Sequence, residues 1–205
     1  IPIAEETGLI MPLGDWVMRE SLAFARHLRQ RFGEIIQISI NLSPVQFRNR
    51  TPQYPTVVEL LAQEHESGNL VAVEITEGTL LEADDQLLEK LCRMRAAGIQ
   101  LSLDDFGTGY SSLSYLNKFD IDYLKIDRSF VQGLAPYSRE LALCEAMIVM
   151  AHKLDIKVIA EGVETAEQRD LLIKAGCDYA QGFLFARPLS PEVFEAFVGA
   201  PALAA

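Results

Sequence analysis

Short β-branched or apolar runs alternate along the chain with longer stretches whose apolar residues recur every three or four positions, the periods of strand and helix. The runs predict strands at Ile35–Asn41, Leu70–Thr76, Ile99–Asp104, Asp122–Ile126 and Ile156–Ala160, with a short sixth at Asp178–Gln181. Between them, helical spacing predicts Pro12–Phe32, whose apolar positions include Trp16, Leu22, Ala25 and Leu28. Further helices are expected from Tyr54 or Pro55 to Ser67, then at Asp84–Ala97, Ser112–Phe119, Tyr137–Leu154, Thr165–Ala175 and Pro191–Val198. Gly68-Asn69, Gly98 and Gly176 read as helix ends of the left-handed kind. Arg48–Pro55 reads as loop, broken by Pro52 and Pro55. The opening IPIAEETGLI reads as loop or short helix, and GAPALAA at the end as a tail too small-sided to pack. One domain over residues 1–198 with a frayed tail at 199–205 is the expectation.

Strict alternation of strands and helices predicts a parallel sheet wrapped by helices. The polar residues choose between an open sheet and a barrel. The strand candidates end in Asn41, Glu74 with Glu77, Asp104 with Asp105, Lys125 with Asp127, Glu161 with Glu164, and Gln181. An open sheet gathers ligands at one switch point, whereas six functional strand ends imply a ring, the upper face of a (β/α)8 TIM-type barrel. Six strands are two short of eight, and the chain opens on a helix, so N-terminal strands are expected upstream of this sequence.

The chemistry concentrates in LSLDDFGTGYSSL, Leu101 to Leu113, where a buried strand ends in adjacent carboxylates. Like charges a few ångströms apart raise each other's pKa and are costly to bury, and a divalent cation removes both difficulties. Asn41, Glu74, Asp104, Asp105 and Glu161 form an all-oxygen set, which suits Mg²⁺ or Mn²⁺ rather than zinc or copper. Five such groups exceed the needs of one ion, so two ions sharing a carboxylate are expected, the arrangement that cuts phosphate esters. Lys125 would then serve the attacking water or a phosphate oxygen. Taken singly, each residue has a plainer role: Asn41 as a strand end bonded to the Ser43 turn, Glu74 as an ion-pair partner of Lys125, Glu161 as a cap at Gly162.

Composition narrows the classes. With 29 acidic against 18 basic residues the net charge is -11, which repels nucleic acid polymers and anionic membranes. The three cysteines, Cys92, Cys144 and Cys177, are scattered and suit a reducing, cytoplasmic setting. His27, His65 and His152 have no metal-ligand spacing. The glycines of Gly107-Thr108-Gly109 match neither a Rossmann nor a Walker loop.

NLSPVQF, EITE, DDFGTGYSSLSYL, LKID, AEGVET and QGFLFARPL, in this order, resemble the EAL-domain family of cyclic di-GMP phosphodiesterases over nearly the whole chain. IPIAEETGLI is similar to that family's segment just after its first strands. The resemblance implies a modified barrel with one antiparallel strand, and hydrolysis of the bacterial second messenger cyclic di-GMP to linear pGpG. By position, it implies that Asn41, Glu74 and Asp104 hold one ion while Asp104, Asp105 and Glu161 hold or approach the second. Lys125 would hold the water, with Glu161 as general base. Glu77 would brace the loop Asp105–Ser112, and Asp127, Glu164 and Gln181 would lie at or behind the substrate. It also implies a homodimer built around the Ser112–Phe119 helix, and an upstream sensor or GGDEF-type domain. The departure is large: the Glu-Ala-Leu motif of the first strand is absent from this sequence, while Gly78 for Ser and Phe183 for Tyr are mild. A non-hydrolysing cyclic di-GMP receptor and an inactive fragment of the enzyme are the alternatives.

Overall fold

The computed structural model describes residues 1–48, 54–81, 84–109, 116 and 119–199. Six strands lie in one sheet in sequence order: β1 (Ile38–Asn41), β2 (Val71–Thr76), β3 (Gln100–Phe106), β4 (Tyr123–Ile126), β5 (Lys157–Glu161) and β6 (Tyr179–Gln181). Every ladder is parallel. Helices supply the crossovers other than that from β3 to β4, most of which lies outside the described residues, and because every ladder is parallel the C-terminal ends of all six strands reach the same edge. The sheet is an arc, since among the described residues β1 pairs only with β2 and β6 only with β5. The antiparallel strand implied by the resemblance has no counterpart among the described residues.

Burial explains why the strands read so clearly. β2 has five consecutive buried residues and β4 three, because a parallel sheet is covered on both faces. The helices follow as α1 (Pro2–Thr7), α2 (Ile10–Phe32), α3 (Pro44–Arg48), α4 (Val57–Gln63), α5 (Glu77–Leu81), α6 (Asp85–Ala96), α7 (Arg128–Gln132), α8 (Arg139–Lys153), α9 (Ala166–Ala175) and α10 (Pro191–Gly199). Their starts are chemically marked: Thr56 and Thr165 close capping boxes with Glu59 and Gln168, and Asp84 and Ser138 accept from backbone N–H groups in the first turn. Met18, Leu22, Ala25 and Leu28 form the buried stripe of α2.

Several expectations are corrected. Trp16, read as an apolar packing position of α2, is 59% exposed. Pro12 does not begin α2, which starts at Ile10; a proline in the first turn loses no helical hydrogen bond. α4 is shorter than the expected helix, and its closure is not a left-handed Gly68. His65 takes the positive φ instead, at 55°. Gly68 is required for space, because a Cβ there would lie 2.3 Å from the Ala97 carbonyl oxygen and 2.5 Å from the Ile99 nitrogen. α3, α5 and α7 are one-turn helices in segments where the pattern predicts no helix. The expected Ser112–Phe119 helix falls largely outside the described residues, as do positions 200–205 of the tail.

α10 packs on α2 through the Phe24 and Phe194 rings, whose centroids are 6.0 Å apart. Glu195 pairs with His27 at 2.9 Å and Arg31 at 3.2 Å across the same junction. The last strand, β6, is exposed along its whole length.

Candidate active site

Parallel register brings the strand-end residues to one level. Asn41 stands beside Glu74, Thr76 beside Asp104, and Glu161 beside Gln181. At the centre is Lys125 on β4, only 4% exposed. Its Nζ lies 2.8 Å from Glu74 Oε2, 2.7 Å from Glu161 Oε1 and 3.1 Å from Asp104 Oδ1. One ammonium therefore faces carboxylates from β2, β3 and β5. Burial pulls its pKa down, but hydrogen bonds to Glu161 and Glu74 outweigh this and hold it above the ordinary value. Burial raises the Glu161 carboxyl, and Lys125 only partly offsets that rise.

The adjacent aspartates pose a geometric problem, because neighbours on a regular strand point to opposite faces. The β3–β4 ladder solves it with a register shift between Leu103 and Phe106. Asp105 sits in this bulge at φ 55°, a left-handed conformation that Asp tolerates better than most residues. The turn is fixed locally. Asp105 N–H donates to Asp104 Oδ1 at 3.0 Å, and the Thr108 N–H and hydroxyl donate to the Asp105 carbonyl at 3.3 and 2.9 Å. As a result Asp104, Asp105 and Glu161 each offer an oxygen, all within 4.8 Å of one another. Burial, then Asp104, then Asp127 raise the Asp105 carboxyl, and Lys125 only partly offsets them. Oxygen-only donors at this spacing fit a hard divalent cation.

The EAL domain family model matches residues 1–188. The chain belongs to the EAL domain family. It is 40% identical over 198 residues to the signaling protein YkoW of Bacillus subtilis, covering 97% of this chain and 24% of that protein. It is 38% identical over 200 residues to the cyclic di-GMP phosphodiesterase NbdA of Pseudomonas aeruginosa, covering 98% and 25%. The chain thus spans about a quarter of the length of these curated relatives. Among solved structures, the PaMucR phosphodiesterase in complex with c-di-GMP superposes with a TM-score of 0.87 at 37% identity, covering 94% of this chain and 78% of that one. A manganese and cyclic di-GMP complex of BlrP1 from Klebsiella pneumoniae superposes with a TM-score of 0.70 at 33% identity, covering 82% and 43%.

The other expected site residues of this EAL domain divide. Asn41 ends β1 exposed, next to Glu74. Asp127 is engaged as the N-cap of α7, its Oδ1 accepting from Ser129 N–H at 3.0 Å; burial raises its carboxyl, and the bonds from the Ser129 hydroxyl and N–H more than reverse that. Glu164 and Gln181 are both exposed at the edge. The Glu164 N–H donates to Gln168 Oε1 at 2.8 Å, and the Gln181 carbonyl accepts from Val163 N–H at 3.0 Å. Glu77 stands apart, 8% exposed, with neither carboxylate oxygen hydrogen-bonded among the described residues. A Cβ on Gly109 would lie 3.4 Å from its carboxylate, so Glu77 abuts the loop that follows Asp105. One feature escaped the sequence reading. The Arg187 guanidinium stacks 4.6 Å over the half-exposed Phe183 ring on the loop after β6, a Phe-x-x-x-Arg spacing that could have drawn notice. Among the described residues no helix is long and apolar enough to cross a membrane.

Proposed function

We propose that this chain is a metal-dependent phosphodiesterase domain that hydrolyses cyclic di-GMP to linear pGpG, as one catalytic unit over residues 1–198. The observation that carries the reading is the convergence of Glu74, Asp104 and Glu161 on Lys125, with Asp105 joining Asp104 and Glu161 in the acid cluster. The cyclic di-GMP complexes of solved relatives support the substrate.

In this reading Asn41, Glu74, Asp104, Asp105 and Glu161 hold two Mg²⁺ or Mn²⁺ ions, which supply charge neutralisation for the phosphodiester and a more acidic water. Lys125, fixed by three carboxylates, holds the water oxygen toward phosphorus. Glu161, 2.7 Å from Lys125 and part of the acid cluster, takes the water proton. The new P–O bond forms as the bond from phosphorus to the ribose 3′ oxygen breaks, leaving one 5′ phosphate on a linear dinucleotide. Gln181, Glu164 and Asp127 border the substrate, Asp127 through the start of α7. Glu77, whose carboxylate lies against Gly109, braces the loop after Asp105, and a homodimer would act through that loop. The longer relatives include proteins named as an oxygen sensor and as a bifunctional diguanylate cyclase and phosphodiesterase, which supports reading the domain as the cytoplasmic output of further sensor or GGDEF-type domains.

The test is a chromatographic time course of cyclic di-GMP with Mg²⁺ or Mn²⁺, comparing the chain with its Asp104→Ala variant. Appearance of pGpG that the variant abolishes is the expected result. Tight binding of cyclic di-GMP without product would instead make the domain a receptor.

A further inference from the structure

The acid cluster contains a cation of its own whose bonding is already complete. An ammonium has three N–H donors. Lys125 Nζ directs them at three carboxylates: Glu161 Oε1 at 2.7 Å, Glu74 Oε2 at 2.8 Å and Asp104 Oδ1 at 3.1 Å. All three acids belong to the set proposed to hold the divalent ions, so the lysine and the ions call on the same groups. No donor is left for the water that Lys125 has to orient. Asp105, the fourth acid, makes no ion pair with Lys125 among the described residues, although it offers an oxygen within 4.8 Å of those of Asp104 and Glu161. Solvent does not loosen the arrangement, since Lys125 is 4% exposed and Glu74 6%.

The charges of the site balance without the lysine. Glu74, Asp104, Asp105 and Glu161 together neutralise two divalent ions, and Asn41 adds no charge. With both ions in place the ammonium has no carboxylate charge left to answer it, in a buried setting where like charges repel more strongly than in water. A lysine suits exchange of partners, because its ammonium is a compact charge on a flexible four-carbon stem and its donors turn freely. An arginine, matched to a carboxylate through a planar fork, would be harder to dislodge.

We propose that Lys125 is a displaceable counter-ion: its three N–H groups hold Glu74, Asp104 and Glu161, and it yields these oxygens to Mg²⁺ or Mn²⁺ as the ions bind, which frees a donor for the attacking water. This rests on reading the cluster as a divalent-cation site. It orders the cycle, since Lys125 orients water only after the metal has loaded, and it sets the metal affinity of the chain against the strength of the ammonium's own bonds. Asp105, not bonded to Lys125, is the acid that an entering ion meets without a competing cation.

The ammonium can be observed directly, because Lys125 is the buried lysine among the described residues and all its N–H groups are bonded. In protein labelled with ¹⁵N on its lysines, Mg²⁺ titration should move the slowly exchanging Nζ resonance saturably and speed its exchange with water, over the concentrations at which calorimetry reports binding. Loss of the resonance in Lys125→Arg assigns it. Lys125→Met, which has no ammonium to displace, should bind Mn²⁺ more tightly than the parent by roughly tenfold or more, its fold confirmed by a cooperative melt with the ion present. If that variant does not fold, the resonance of the parent decides alone. A resonance unmoved by bound Mg²⁺, or a folded Lys125→Met that binds Mn²⁺ no more tightly, would overturn the counter-ion role and leave the metal site standing. Failure of the parent to bind either ion would overturn both. Neither readout depends on phosphodiesterase turnover.

Discussion

Replacing Lys125 with methionine keeps most of the aliphatic stem and deletes the charge on which three carboxylates converge. Removing one partner of a buried ion pair leaves the other uncompensated, at about 3–5 kcal/mol. Glu74 is 6% exposed and Lys125 4%, so solvent offers little relief. For a domain of 205 residues each kcal/mol moves the melting temperature by about 2–4 °C, which places the loss at roughly 6–20 °C. Differential scanning calorimetry in EDTA near neutral pH measures it. The pH dependence has a definite sign. Without Lys125, burial leaves the Glu161 carboxyl with a folded pKa above its unfolded one, so folding takes up a proton and the deficit shrinks as the pH falls. Lys125 itself has a raised pKa, so its contribution is complete below the ordinary lysine value of 10.5 and constant through the neutral range. Mn²⁺ should then restore stability to the variant, by about 2.7 kcal/mol at a hundredfold excess over its Kd, while turnover stays absent. A variant that melts within a degree of the parent in EDTA, or that Mn²⁺ fails to stabilise, would refute the charge accounting of this cluster.

At the bulge, Asp105→Asn should fold with little loss, because Asn tolerates the left-handed φ of 55°, yet lose metal affinity in Mn²⁺ calorimetry. Asp105→Val should add about 1–2 kcal/mol of backbone strain, read by urea titration; equal stability of the two variants would count against the strained turn. Gly68→Ala forces a methyl into the Ala97 and Ile99 backbone and should cost about 1–3 kcal/mol in the same titration, with no change meaning the close approach is not needed. Asp178 accepts from Val158 N–H and His152, both at 2.8 Å, and although burial raises its carboxyl these bonds outweigh that and lower it. Asp178→Asn should therefore melt lower than the parent above the ordinary carboxylate value of 3.8, with the gap closing as the pH falls below it; a gap that widens in acid would contradict the assignment.

The strands were readable because a parallel sheet buries both faces and so writes itself as unbroken apolar runs, as in Val71–Ile75. The longer helices announce themselves through caps such as Asp84 and Thr165. What stayed hidden depends on partners distant in sequence. Five-residue helices such as α3 and α7 are too short to form on local propensity and exist because tertiary packing holds them. Trp16 follows a helical apolar period but lies on the solvent side of α2, since periodicity gives the stripe and not its width. Asp127 shows the limit for polar residues: its strand-end position marked it for the site, while its carboxylate is committed to the start of α7.

The acid pair marks the deeper limit. Asp104-Asp105 was legible as chemistry, yet strand alternation taken literally would send one carboxylate to the helix layer and leave a single ligand from β3. Only the shift in the β3–β4 register, with Asp105 at positive φ and Thr108 closing the turn, brings both side chains to Glu161. A bulge costs ladder hydrogen bonds, and a left-handed non-glycine residue adds strain. Both costs fall on the two residues that carry the densest negative charge, and neither improves the packing of the barrel wall. Folding alone would favour a regular strand with one acid replaced by an apolar residue. The local loss of stability is what a site organised to hold cations requires, and it explains why the same short stretch is at once the plainest chemical signal in the sequence and the least regular part of the sheet.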